Sequence, residues 1–410
     1  MSTVAVFWTR IVILVDTNPT PLRAIESYFR WTRDLPLDVA VMRKPGTFEE
    51  DDPGEKARVA AVMGLLAPHV CRCHNLHFDI IYSSSLPSLR RDFHGVASEL
   101  ESLRLECQVD DGRNDPSDVV EHGTFACPVL RWLVIDGRNF MDSCMIDARP
   151  FTNASAIKIL HFSPSESDDE SLSLYQVLES LLKFDKLLWL AMSDIEFDFA
   201  SGSYQAYSFP LSSSFVTFED LSDEVLTEYF DVTSAHPEAA SFTRCSIDTF
   251  DNVSGDCLIL EGIAVDQDLT PFLGEWLGST LYLTNCPGFD DSFLAGLGGI
   301  GHLDDNFAAP NMDGLMITDC PNFSVVALRE MLDARRRNAP AYQHDDDWFN
   351  NWRDNNFDES TVSRIGKVEV CGCGPLISAE DSEWFLANLA EFRWRTTLPD
   401  GRTCHVEKRT

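Results

Sequence analysis

Two stretches decide how this chain is read: Leu281-Tyr282-Leu283-Thr284-Asn285-Cys286-Pro287-Gly288-Phe289 and Leu315-Met316-Ile317-Thr318-Asp319-Cys320-Pro321-Asn322-Phe323. They match almost position by position. Each opens with alternating apolar residues, as a half-buried strand requires. Each then passes through a small polar turn with a cysteine to an apolar anchor. Val368-Glu369-Val370-Cys371-Gly372-Cys373-Gly374-Pro375-Leu376 is a looser third copy. Two more, beginning at Leu133 and Leu190, are one residue shorter.

Working outward, the strand belongs to a recurring phrase, L-x-x-L-x-L, with an apolar residue in each L slot. It occurs as Leu100–Leu103–Leu105, Leu130–Leu133–Ile135, Leu187–Leu190–Met192, Met312–Leu315–Ile317 and Ile365–Val368–Val370. A shorter form occurs at Leu76–Phe78, Leu258–Leu260 and Leu281–Leu283. Helices are expected after most copies. Ser324 can cap a helix over Val325 to Arg335, and Ser378 one over Ala379 to Leu389. Thr270-Pro271 and Thr20-Pro21 place proline at the first helical position. Further units are expected near Ile157 to Phe162, Phe215 to Phe218 and Phe242 to Ile247.

Leu258 to Leu281 is 23 residues, Leu103 to Leu133 is 30 and Leu281 to Leu315 is 34. One strand and one helix at such spacing form the leucine-rich-repeat pattern, here long and irregular. No single unit can bury its apolar face alone, so neighbours must stack. The expected fold is therefore an α/β leucine-rich-repeat-like solenoid with a mainly parallel curved sheet. An ordinary doubly wound α/β domain is the alternative, because strand–helix alternation does not separate the two. Residues 1–16 are expected to hold a remnant following a missing module, together with the first strand. Residues 17–410 are expected to form one solenoid, with loops inserted near 110–123, 163–171, 296–310 and 338–360.

The formal charge is −34, which repels phosphate backbones and argues against a nucleic-acid partner. Hydrophobic residues make up 44%, a globular proportion, yet no run reaches the length that spans a bilayer. The first residues carry Arg10 and no secretory pattern, so the expectation is an intracellular protein, cytoplasmic or nuclear, with its 12 cysteines reduced. Cys71-Arg72-Cys73-His74 and Cys371-Gly372-Cys373 lack the partner pair of a structural zinc site, and read as thiols. Gly296, Gly298 and Gly301 spell a dinucleotide string in a loop context. No nucleophile elbow, phosphate loop or zinc-protease motif is present. Neither catalysis nor a cofactor or metal is expected.

The chain resembles the fungal F-box/leucine-rich-repeat proteins. The resemblance is carried by Phe7-Trp8-Thr9-Arg10-Ile11-Val12-Ile13, by Asp34-Leu35-Pro36-Leu37-Asp38-Val39 and by the repeats holding Cys286 and Cys320. It implies substrate recognition within a cullin-type ubiquitin ligase. The F-box is almost wholly missing before Trp8, and Leu35 to Val39 reads as a strand. A cullin adaptor is then a partner only if an F-box stands upstream. A solenoid binds through outward strand positions, here Trp132, Asp136, Trp189, Ser193, Tyr282, Thr284, Met316, Thr318 and Glu369. Trp132 and Trp189 read either as hot spots or as covers of the solenoid edge. An enzyme on a doubly wound fold and a truncated paralogue without a partner stay open.

Overall fold

The computed structural model describes residues 9–46, 52–112, 125–164, 171–199, 209–233, 236–247, 253, 255–265, 267, 269–299, 307–339, 362–397 and 401–408. Trp8, most of the stretch 338–360, and parts of the other expected insertions lie outside them. The chain divides into two compact units, residues 1–213 and 214–410.

In the first unit the strands are β1 (Arg10–Leu14), β2 (Leu37–Met42), β3 (Cys73–Tyr82), β4 (Ser102–Val109), β5 (Trp132–Asp136), β6 (Ala156–Phe162) and β7 (Trp189–Ile195). Each pairs in parallel with the next in chain order, from β1 to β7. Helices α1 (Leu22–Thr32), α2 (Glu55–Leu66), α3 (Gly137–Phe140) and α4 (Leu174–Leu181) run between them.

The second unit repeats the scheme. Its strands are β8 (Phe215–Glu219), β9 (Ala239–Thr243), β10 (Cys257–Glu261), β11 (Thr280–Thr284), β12 (Gly314–Thr318), β13 (Lys367–Gly372) and β14 (Glu391–Thr397). They too are parallel neighbours in chain order, and β15 (Thr403–Lys408) closes the unit antiparallel to β14. Its helices are α5 (Asp223–Val232), α6 (Leu269–Gly274), α7 (Asp291–Leu297), α8 (Val325–Asn338) and α9 (Ala379–Asn388).

The strand order reverses nowhere within either unit. A doubly wound sheet must reverse where its ligand crevice forms. The observed connectivity is that of an α/β solenoid. The caps expected from sequence are made: Ser324 Oγ accepts from the Ala327 amide at 3.1 Å, and Ser378 Oγ from the Asp381 amide at 3.0 Å.

The L positions of the phrase are the core. Leu103, Leu105, Leu133, Ile135, Leu190 and Met192 are fully buried in the first unit, as are Leu281, Leu283, Leu315 and Val370 in the second. The turns after the two strands explain the near-identical pair. Asn285 and Asp319 adopt left-handed φ of 49° and 53°. Asn and Asp tolerate that conformation better than other residues with a side chain. The turn drives the next residue inward, and Cys286 and Cys320 are buried there. Cys286 Sγ donates to the carbonyls of Leu260 and Thr284, both at 3.4 Å, and Cys320 Sγ to that of Thr318 at 3.4 Å. The neighbouring Cys286 together with burial pushes the Cys320 thiol up.

Candidate functional site: the outward strand faces

In a parallel strand stack, outward side chains form rows across the sheet. The first row of unit 1 sets Trp132 of β5 against Ala156 of β6, and Ala156 against Trp189 of β7. Alanine leaves room for both indoles to lean over it. Their ring centroids are 5.6 Å apart, with planes at 50°. Trp132 is 46% exposed, and Leu188, next to Trp189, is 55% exposed. Large apolar side chains left in water beside a rigid sheet are a recognised mark of binding surfaces.

The remaining unit 1 residues singled out by alternation sit elsewhere. Asp136 is only 1% exposed. Its Oδ1 accepts from the amides of Arg138 and Asn139, both at 3.1 Å, and its Oδ2 from Asn139 Nδ2 at 2.7 Å. It therefore caps α3 and is no surface contact. Burial pushes its carboxyl up to about 6, against those hydrogen bonds and with help from the charge of Asp110. Ser193 is likewise buried.

In unit 2 the middle row runs Thr217, Ser241, Ile259, Tyr282, Met316, Glu369, Arg393 and Glu407. Tyr282 stands 38% exposed between Ile259 and Met316. Met316, at 7%, is buried and cannot be a contact in this structure. Thr284 and Thr318 are half-buried neighbours on the next row. Glu369 is engaged by Arg393 at 2.7 Å, and Arg393 reaches Glu407 at 3.3 Å. Glu369 thus belongs to an ion ladder, and surface pairs of this kind contribute little to stability.

Sequence reasoning passed over the polar groups at the strand ends of unit 1. Arg43 is buried and meets Asp52 at 2.6 Å and Glu55 at 3.4 Å. Arg58 pairs with the same Asp52, and chiefly this bond holds the Asp52 carboxyl down at about 2. Glu55, wholly buried, accepts from the amides of Ile81 and Tyr82, both at 3.1 Å. Further along, Asp110 accepts from Arg138 Nε, from Ser83 Oγ at 2.8 Å and from the Ser163 amide at 2.9 Å. In a chain with 66 acidic residues, no sequence signal marks these few.

The cysteines named in the sequence are dispersed. Cys73 is buried and donates to the His69 carbonyl at 3.4 Å, whereas Cys71 and Cys373 are exposed. Among the described residues no helix is long and apolar enough to cross a membrane. No known protein family matches the chain, and no curated protein matches it.

Proposed function

We propose that the chain is a protein-binding module of leucine-rich-repeat type, which engages a polypeptide through the outward strand face of its first unit. The observation that carries this reading is the tryptophan pair, exposed Trp132 of β5 and half-buried Trp189 of β7, packed together over Ala156 of the intervening parallel strand. Burying two indoles on a partner supplies large contact area at little entropic cost, the usual character of a hot spot. The charge of −34 steers basic partners toward it. The resemblance to F-box/leucine-rich-repeat proteins extends the proposal to substrate recognition for a ubiquitin ligase.

The test is proximity labelling and pull-down in the native cell, comparing the natural chain with Trp132→Ala/Trp189→Ala. A partner retained by the first and lost by the second, with both folded by circular dichroism, supports the reading. Each tryptophan is expected to contribute about 2 kcal/mol of affinity. Equal retention by both proteins removes the strand face from the interface. The ligase role is tested separately, by the partner's half-life after loss of this chain. An unchanged half-life removes the ligase and leaves the binding module.

A further inference from the structure

Unit 1 also holds a cavity of about 280 Å³ at the C-terminal ends of β2, β3 and β4. Met42, Arg43, Lys44, Asp79, Ile81 and Gln108 contribute to its walls. Sites for whole drug-sized ligands run to roughly 300–1,000 Å³, so this one suits a smaller group.

Asp79 is the unusual member. On the outward face it stands directly opposite Met42 on one side and Glu106 on the other. Like charges in opposed positions on neighbouring strands repel. Glu106 is compensated, with His77 Nε2 at 3.8 Å and Arg104 at 3.6 Å. The neighbouring His77 imidazole is the chief cause holding its carboxyl below the usual range. Asp79 has less help: the neighbouring His77 favours its ionised form, but its carboxylate accepts no hydrogen bond from the described residues. Burial pushes the Asp79 carboxyl up, against the effect of His77 and with Glu106 adding to it.

The wall that carries Asp79 is stiff. Its carbonyl accepts from the Arg43 amide at 3.3 Å, and the Arg43 guanidinium is locked by Asp52 and Glu55. Glu55 in turn holds the amides of Ile81 and Tyr82. A half-buried carboxylate is thus fixed at a cavity, beside a second carboxylate, with no hydrogen-bond donor among the described residues. A cation entering the cavity would relieve both the desolvation and the repulsion.

We propose that this cavity receives a lysine or arginine side chain of the polypeptide that docks on the strand face. Asp79 takes the ammonium or guanidinium, and Met42 and Ile81 flank the aliphatic stem. The tryptophan pair starts on β5, two strands from β3, and Trp132 is level with Asn75, four residues before Asp79; at the usual strand spacing and rise that is roughly 16 Å away. One extended peptide reaches both. The inference rests on the protein-binding reading, and it names the chemistry of the partner.

The test uses the full chain and four small probes followed by NMR titration: the N-acetyl, N-methylamide derivatives of arginine, lysine, norleucine and glutamate. The arginine and lysine probes are expected to bind at millimolar concentration, the norleucine and glutamate probes not. Asp79→Asn is expected to weaken the cations about tenfold, and Lys44→Ala, which removes a like charge from the rim, to leave them unchanged or tighter. Binding of norleucine as strong as that of lysine, or binding of glutamate that Lys44→Ala abolishes, overturns the proposal. So does indifference to Asp79→Asn. If the cations bind at Asp79 but the double tryptophan variant loses no partner, the cavity stands and the strand-face reading falls. If the partner is lost but no cation binds, the reverse holds.

Discussion

The two units end their strands by different physics. In unit 2 the residue after the fifth strand position is left-handed from β8 through β13: Asp220, Arg244, Gly262, Asn285, Asp319 and Gly372. The next side chain turns inward and is buried in five of those six turns, as Leu221, Cys245, Ile263, Cys286 and Cys320. The device is uncharged where it is buried, and it repeats. Among the described residues of unit 1, only β6 and β7 use it, through His161 and Asp194. The ends of β2 to β5 are instead held by buried charge: Arg43, Asp52 and Glu55 at one place, Asp110, Asp136 and Arg138 at another. Buried ion pairs fix geometry at a desolvation cost and need every partner. Repetition in unit 2 yields a plain stack. The ionic rim of unit 1 yields shaped polar surroundings, and the cavity at Asp79 lies against them.

The largest expected effect breaks the regular unit. Leu283→Asp or Ile317→Asp puts a charge where its neighbours are apolar and water is absent. Either should cost more than about 5 kcal/mol, enough to unfold unit 2. Hydrogen exchange along the chain would show protection lost from Ser214 onward. Retained protection would refute the core assignment.

A second break targets the exception inside unit 2. Arg335 lies on α8 and is fully buried. It donates to the carbonyls of Leu297, Ala308, Ala309, Pro310, Met312 and Ser363, at 2.8 to 3.4 Å. Burial pushes its pKa down to about 9, so it stays protonated at neutral pH. Arg335→Met leaves those carbonyls without their donor and should cost about 4 kcal/mol. Arg335→Lys keeps the charge but not the planar fork, and should recover only part. Exchange of the amides in residues 307–312 reports both.

These outcomes bear on how much the sequence disclosed. The L-x-x-L-x-L phrase located the inward residues well, because burial of alternate positions is a strong and repeated constraint. Its complement was less informative. Alternation says which side of a sheet a residue faces, not whether water reaches that side. Hence Trp132 and Tyr282 are exposed as expected, while Asp136, Ser193 and Met316 are not. Asp136 also opens Asp136-Gly137-Arg138-Asn139, where a carboxylate two and three residues before free amides is a cap signal. Arg335 was hidden in Arg335-Arg336-Arg337, which reads as a solvated run at a helix end. Asp79 and Glu106 could not be distinguished from many other carboxylates until strand register set them opposite each other.

Titration sharpens the contrast between the units. Asp136 has a folded carboxyl value of about 6, above its unfolded one. It binds a proton more readily folded than unfolded, so its contribution to stability is full below the unfolded value and lost as pH rises through 6. The gap from the ordinary carboxylate value corresponds to about 3 kcal/mol at neutral pH. Asp52 has the opposite sign: held at about 2, it stabilises above the unfolded value and fails as pH falls toward 2. Unit 1 should therefore gain stability from pH 7 to about 4 and lose it below. Asp136→Asn should flatten the first limb and leave the second. Hydrogen exchange of unit 1 amides at several pH values is the measurement, and an unchanged first limb would assign it to another group.

The smallest effect tests the device of unit 2 by itself. Asn285 has a φ of 49°, and the matching position one strand earlier is Gly262, at 63°. Glycine adopts this region freely, whereas a β-branched residue does so only under strain. Asn285→Gly should leave the melting temperature nearly unchanged. Asn285→Val should cost about 1–2 kcal/mol. The loss should extend to the turn after β12, because the Asn285 amide donates to the Thr318 carbonyl and the Cys286 amide to Cys320 Sγ at 3.4 Å. Arg244 adds a sharper case, being left-handed at 51° yet bonded to Glu219 at 2.8 Å and Asp220 at 2.6 Å. Arg244→Gly relieves the backbone and removes two surface ion pairs, contributions of similar size and opposite sign. If Asn285→Val were as harmless as Asn285→Gly, the left-handed turn would not be what fixes the cysteines inward. The near-identity of the stretches at Cys286 and Cys320 would then rest on the thiols' own hydrogen bonds.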